Sequence, residues 1–454
     1  MRVLVPLSLI ALVAMAGAPA AAPLTADEAV KIALVHSTRA VQAEASMLDA
    51  RSSLWSAYSG VLPSLSADYS RTGTLTKNGT GSQVFGSVII PSTPSDRESY
   101  SNSPTISGRM NVLNLSTING LRGARAGMKA AELSRTATRN DIVLGVKTQF
   151  YEVVKAVHLA EVQSGALKLA RDDERRVRAL YEVGSVAKSD LLNAQVATAQ
   201  SELDSLLANH AVTQQRIGLA EAMGIHENDL GDVDTTLAME PHTWDEAQVL
   251  ADAKAARPDL QAADRSLSAA IMDLNAARWS RLPYLTATGS ITFNPSSSTK
   301  VTSFLRDSTT GQPFTDVAVG SSKSDRQYGG TLALNWDFFD GLATDGRIAA
   351  ARSRVLTARE TRDALVRNLE SEVHQALLGD QEAVERQRLA HRSLESASEN
   401  LNLIQQKYNV GSATILDLIN AQVQLQKAQS DLVTALAAIR DAEATLDHVR
   451  GRGE

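Results

Sequence analysis

The sequence predicts a mixed α+β fold built as a two-fold internal repeat, with four β-strands and two long α-helical hairpins per chain. Three observations predict it. The stretch Tyr181 to Val196 (YEVGSVAKSDLLNAQV) returns as Tyr408 to Val423 (YNVGSATILDLINAQV), with about ten of sixteen positions identical. The twelve prolines are confined to the first 23 residues, to Pro63–Pro104 and to Pro241–Pro313, leaving two long proline-free tracts where long helices can form. Four segments beside those tracts alternate apolar and polar residues with the period of a strand.

In chain order, residues 1–22 read as a secretory signal peptide: Arg2, an apolar core from Val3 to Met15, and small residues around Ala18-Pro19-Ala20 and Ala20-Ala21-Ala22. The first repeat then runs over 23–240. It opens on Thr25-Ala-Asp-Glu28, whose Thr-to-Glu spacing is that of a capping box at a helix start. Leu62-Pro63 ends this helical region, because proline disfavours helix at the residue before it. Strands follow at about 64–75 (Leu65, Ala67 and Tyr69 on one face) and about 104–115 (Ile106, Met110, Val112), joined by a Gly/Ser/Thr/Pro-rich loop from about Leu75 to Ser103. A helical hairpin at about 116–224 completes the repeat. Its outgoing helix, Ser116 to Tyr181, spans about 100 Å at 1.5 Å per residue.

The second repeat, 241–454, gives the same signals in the same order. Thr243-Trp-Asp-Glu246 repeats the capping spacing and Leu282-Pro283 the helix stop. Strands are expected at about 284–295 (Leu285, Ala287, Gly289, Ile291, Phe293) and about 327–339 (Tyr328 to Phe338), with a loop from about Pro295 to Arg326 between them. The hairpin at about 342–450 returns through a heptad seam in which Leu418, Leu425, Leu432, Ile439 and Leu446 alternate with Ala421, Ala428, Ala435 and Ala442. Leu192, Val196, Ala199, Leu203 and Leu206 give the first hairpin a similar seam. These stripes are coiled-coil core rather than binding sites.

Composition narrows the function classes. A net charge of -6 without a basic run gives no nucleic-acid signal. No cysteine is present, which excludes disulfides, thiolate metal sites and thiol nucleophiles. The eight histidines show no metal-ligand spacing, no phosphate loop or nucleophile elbow occurs, and carboxylate pairs such as Asp172 and Asp173 read as solvated helix surface. The expectation is therefore no enzyme, no cofactor and no metal. After the signal region no run of about eighteen uninterrupted apolar residues occurs, so a membrane crossing would have to use strands. Four strands of about ten residues have the length for it, but four cannot close a barrel, and an open edge in lipid leaves backbone groups unpaired. Three copies would supply twelve strands and twelve helical passes: a homotrimeric twelve-stranded β-barrel continued by a periplasmic α-helical barrel.

The duplicated order, the Val-Gly-Ser tips with a downstream Asp, the Leu-Pro junctions and the run Trp336-Asp337-Phe338-Phe339-Asp340-Gly341 resemble the TolC family of outer-membrane efflux proteins over essentially the whole mature chain. The resemblance implies a passive exit duct in the outer membrane, extending into the periplasm. It would dock a periplasmic adaptor (a membrane fusion protein), itself bound to an inner-membrane transporter of RND, ABC or MFS type. Carried onto this sequence, it makes Val183, Gly184, Ser185, Val410, Gly411 and Ser412 the adaptor-docking tips. It makes Asp417 an acidic ring at the periplasmic gate, with Tyr408 reaching the neighbouring hairpin near Asp190. Ala413 stands where a gate-locking basic residue is often found, and Asn420 where a second acidic residue can lie. The competing reading of Asp190 and Asp417 is local: an acidic residue in the first turn of a helix favours its dipole by about 0.3 to 1 kcal/mol. A periplasmic coiled-coil adaptor or scaffold is the alternative for the whole chain, and the strands argue against it.

Overall fold

The computed structural model describes residues 23–79, 81–85, 88–92, 94–237, 244–294, 296–306, 309–321 and 325–452; the expected signal peptide lies outside them. Two compact units emerge, each assembled from separate stretches of chain. One combines the chain up to Leu48 with Lys129–Asp264 and Glu360–Glu454, and is helical; the other combines Asp49–Met128 with Arg265–Arg359, and holds the strands.

The helical unit contains two cores of matching make-up. α1 (Ala26–His36) starts at Thr25, whose hydroxyl accepts from the Glu28 amide while the Glu28 carboxylate accepts from the Thr25 amide, so the expected capping box is present. Ala29, Val30 and Ala33 of α1 pack on Val146, Phe150, Val153 and Val154 of α3 (Leu115–Glu182) and on Leu219 and Met223 of α4 (Lys188–Met223). The partner core sets Val249 and Ala253 of α5 (Glu246–Ala256) against Leu369, Val373 and Leu377 of α7 (Ala343–Asn409) and Leu446 and Val449 of α8 (Ile415–Val449). Each large apolar side chain fully buried here contributes about 1.5–3 kcal/mol. The start of α5 differs from expectation. Asp245, itself a strong cap, accepts from the Gln248 amide, and Glu246 is the first helical residue; Thr243 lies outside the described residues. Pro258 opens α6 (Pro258–Trp279), where its missing N–H costs nothing.

α8 buries most of the expected seam: Leu418, Ala421, Ala428, Ala435, Ile439 and Leu446 are all buried. The matching seam of α4 is not buried within the chain. Leu192 is 50% exposed, Val196 69% and Leu206 53%, while α4 turns Ala194, Thr198 and Ser205 inward instead. The heptad pattern is present in both helices, but in α4 it lies on a face that this chain leaves uncovered.

In the second unit, the four expected strands are β1 (Ser64–Asn78), β4 (Ser95–Leu113), β5 (Tyr284–Asn294) and β8 (Asp325–Asn335), all antiparallel to their neighbours. The long connections between them correct the sequence reading, which took them as loops. They contain β2 (Gly81–Phe85) paired with β3 (Val88–Ser92), and β6 (Ser296–Arg306) paired with β7 (Pro313–Ser321). Along one edge of β4 runs β1; along the other, Thr105–Leu113 pairs with β5 and Ser95–Asn102 with β6. β8 adds to the far side of β5, as β7 does to β6. The last strand stops at Asn335, short of the expected Phe339. Trp336 instead donates its indole N–H to the Arg281 carbonyl at 3.1 Å, and Asp340 accepts from the Thr344 amide and hydroxyl at the start of α7.

Candidate gate and docking tips

Both tips are built by the same hydrogen bonds. At the end of α3 the Ser185 amide donates to the Leu180 carbonyl at 2.8 Å and the Gly184 amide to the Tyr181 carbonyl at 2.9 Å; at the end of α7 Ser412 donates to Lys407 at 2.8 Å and Gly411 to Tyr408 at 3.0 Å. This 6→1 and 5→2 pair closes a helix through one left-handed residue. Gly184 (φ 75°) and Gly411 (φ 76°) take that position. A Cβ at either would meet nothing within 4 Å, so it is the backbone angle and not crowding that calls for glycine. Val183, Ser185, Val410 and Ser412 are exposed, leaving a valine and a serine on each tip facing solvent.

Behind the tips lies one apolar cluster drawn from both hairpins. Val177 of α3 and Ala194 of α4 pack with Ile415 and Leu418 of α8, with Leu401, Ile404 and Tyr408 of α7 around them. Tyr408 is thus packed against the first hairpin. Among the described residues its hydroxyl makes no hydrogen bond. Burial raises its pKa; Arg176 opposes the rise, while the nearby carboxylates of Asp173 and Asp190 add to it.

Asp173 corrects the sequence reading. It is buried, 7% exposed, and its carboxylate accepts from the Gln422 side chain of α8 at 2.6 Å, with Arg176 at 3.7 Å. It lies one helical turn before the fully buried Val177 and shares that inward face, so the charge density around it hid a single inward position.

Asp417 and Asp190 occupy the same place in their helices, three residues after the N-cap, yet their surroundings differ. Thr414 caps α8: its hydroxyl accepts from the Asp417 amide at 3.2 Å, and the Asp417 carboxylate accepts from the Thr414 amide at 2.9 Å, a complete capping box. The Asp417 carboxylate also accepts from the Thr414 hydroxyl at 2.7 Å, and these bonds hold its pKa below the usual carboxylate value. The N-cap of α4 is Ala187, which has no side-chain acceptor; the Asp190 amide donates to the Ala187 carbonyl at 3.1 Å, and the Asp190 carboxylate makes no hydrogen bond or ion pair among the described residues. The Thr-x-x-Asp spacing of Thr414 and Asp417 was a legible signal for this box, as Thr25-x-x-Glu28 was for α1. Among the described residues the site holds a carboxylate whose pKa is lowered and a half-buried phenol beside two glycine turns, with no acid–base pair or nucleophile.

The family model of the outer membrane efflux proteins matches this chain twice, over residues 29–225 and 249–452. The chain belongs to the outer membrane efflux protein family. It is an outer-membrane protein that extends into the periplasm. This outer membrane efflux protein is 24% identical over 335 residues to Nodulation protein T of Rhizobium leguminosarum bv. trifolii, the match covering 72% of the chain and 66% of that relative. It is 22% identical over 327 residues to the outer membrane protein TolC of Vibrio cholerae, covering 70% and 71% respectively. Its fold is that of the Campylobacter jejuni CmeC outer membrane channel (TM-score 0.75, 15% identity, 94% of this chain and 86% of that one). The open-state Neisseria gonorrhoeae MtrE channel is similar in fold too (TM-score 0.69, 17% identity, covering 94% and 89%).

Proposed function

We propose that three copies of this chain form the exit duct of a tripartite efflux or secretion system, passively conducting substrates from a periplasmic adaptor and an inner-membrane transporter of RND, ABC or MFS type to the outside. In this reading the signal peptide 1–22 is removed, and the repeats 23–240 and 241–454 contribute equivalent halves. β8 of each copy pairs with β1 of the next to close a twelve-stranded barrel, and the helices of three copies close a helical barrel in the periplasm.

The observation that carries the reading is that, among the described residues, the sheet has two open edges, one along β1 and the other along β8 and β7, each of which pairs on one side only. In lipid every unpaired backbone group costs several kcal/mol, so neither edge can stay open. The exposed apolar seam of α4 supports the same assembly, since a neighbouring copy would cover it. The mass of the detergent-solubilised protein tests it: three chains are expected, and a stable, detergent-free monomer of full helicity would overturn it.

Within this duct the tips Val183-Gly184-Ser185 and Val410-Gly411-Ser412 dock the adaptor, and bulky substitutions at Ser185 and Ser412 should weaken adaptor cross-linking while leaving the assembly intact. Asp417 serves both readings at once. Its capping bonds keep it ionised, so three copies around one axis would form a negative ring that favours cations. Tyr408, wedged between hairpins with Asp173 and Asp190 nearby, holds the closed state.

A further inference from the structure

The two β-hairpins run on well past the length a membrane needs, without losing register. Asn78 pairs with Ser95, and the same distance on in both strands Gly81 pairs with Ser92, so β1–β2 and β3–β4 are two sides of one hairpin reaching to Phe85↔Val88. Likewise Asn294 pairs with Asp325 and, the same distance on, Ser298 pairs with Ser321, so β5–β6 and β7–β8 form a second hairpin reaching to Arg306↔Pro313. About ten tilted residues cross a bilayer, and each side of these hairpins has roughly twice that.

The upper parts of the two hairpins are joined to each other. Ser95–Asn102 of β4 pairs with β6, continuing the edge on which Thr105–Leu113 pairs with β5. The sheet therefore has two tiers with the same strand order, β1-β4-β5-β8 below and β1-β4-β6-β7 above. Its two free edges run through both tiers: β8 is continued by β7, and β1 by β2.

The upper free edge is lightly guarded: β7 starts at Pro313 and carries one charge, and the upper end of β1 carries Arg71 and Lys77. After Pro313, β7 contains no proline and a single charge, Asp316, and Phe314, Val317 and Val319 are exposed. β1 contains no proline over its 15 residues and is exposed at every position. Strands like these are templates for pairing with another chain.

We propose that the seam between copies continues along this whole edge: β7 of one copy pairs with the upper end of β1 and with β2 of the next. The β-barrel then extends beyond the outer membrane as a closed twelve-stranded sleeve, and substrates leave through its end. The inference rests on the three-copy duct above, and the partner it names is a second copy of this chain. Within its own chain Val317 shares a row with Thr302, Asp96 and Lys77. Barrel closure staggers neighbouring strands, so its partner in the next copy is displaced along the strand from that row.

Disulfide trapping tests this directly, because the natural chain contains no cysteine. Val317→Cys is combined with a second cysteine stepped from Thr72 to Val84, and cells are oxidised and run on non-reducing gels. Val319→Cys serves as the alternative if the first variant does not accumulate. The lower seam is probed in parallel with Leu332→Cys and a second cysteine stepped from Leu65 to Gly73. The expected result is a covalent three-chain species from at least one position in each scan. Trapping in the lower scan with none in the upper scan, from either β7 cysteine, overturns the sleeve and leaves the trimer standing. Trapping in neither scan overturns the three-copy duct together with it.

Discussion

The two hairpin tips share a sequence and a turn, yet they are held differently. Each reverses through one left-handed glycine and the same pair of amide bonds, and each carries an aspartate three residues into the returning helix. At the second tip that aspartate is locked to Thr414, and Tyr408 is half-buried against the first hairpin. At the first tip Ala187 replaces the threonine, the Asp190 carboxylate has no bonded partner among the described residues, and Tyr181 is exposed. A shared turn geometry therefore does not give shared stability. The start of α8 is fixed by its own side chains, whereas the start of α4 depends on what packs around it, and a helix end held only by neighbours moves when those neighbours move.

Substitutions can break the common part of this comparison or sharpen the part that differs. The largest effect is expected at the glycines: Gly184→Ala and Gly411→Ala should each cost about 1–2 kcal/mol per chain, since a side chain at this φ is strained. Thermal melts of the two variants should agree with one another, because nothing surrounds either position, and a large difference would mean that the turns are not equivalent. Next comes the cap. Thr414→Ala should lose about 1 kcal/mol, and Ala187→Thr, which completes the Thr-x-x-Asp spacing with Asp190, should gain a comparable amount. If Ala187→Thr stabilises the protein and also slows opening, the looser first tip is the one that yields first.

Asp417→Asn has the smaller stability effect and the more informative pH profile. The pKa of Asp417 is lower in the folded chain than its ordinary value, so its contribution is present above the ordinary carboxylate range and disappears as pH falls through the lower, folded-state value. Wild type and variant should differ near neutrality and converge in acid. In single-channel recordings Asp417→Asn should lower cation selectivity and relieve block by trivalent cations added from the periplasmic side; unchanged selectivity and block would leave Asp417 as a capping residue only. Tyr408→Phe tests the packing role. It removes only a hydroxyl that has no hydrogen bond among the described residues, so a raised conductance would point to a bond formed in the assembled duct.

Much of this architecture was legible from local pattern. Proline-free tracts located α3, α4, α7 and α8, period-two alternation located β5 and β8, and the duplicated tip aligned the halves. What escaped had non-local causes. β6 and β7 are strands because the register of β5 and β8 carries into them, and their Ser, Thr and Gly content alone reads as loop. Asp173 was hidden by the charges on either side of it; only packing against α8 marks it as interior. The seam of α4 has heptad spacing, but it is exposed within this chain, so the spacing alone did not mark it as core. The helix-start reading of Asp417 holds through Thr414, whose Thr-x-x-Asp spacing is visible in the sequence.

The polar contacts between α3 and α8 restrict how such a hairpin pair can open. Asp141 meets His448 at 2.8 Å, Thr148 meets Asp441 at 2.6 Å and Gln163 meets Gln426 at 2.5 Å. Among these three pairs the step along α3 equals the step back along α8, so they mesh like teeth on a rack; the Asp173–Gln422 contact nearer the tips falls outside this register. Sliding α8 along α3 by one turn, about 5.4 Å, would disengage all of them together. Bending the two helices as a unit disengages none. Any movement at the tips is thus channelled into sideways swing or twist, with lengthwise slippage blocked far from the point where the movement is used.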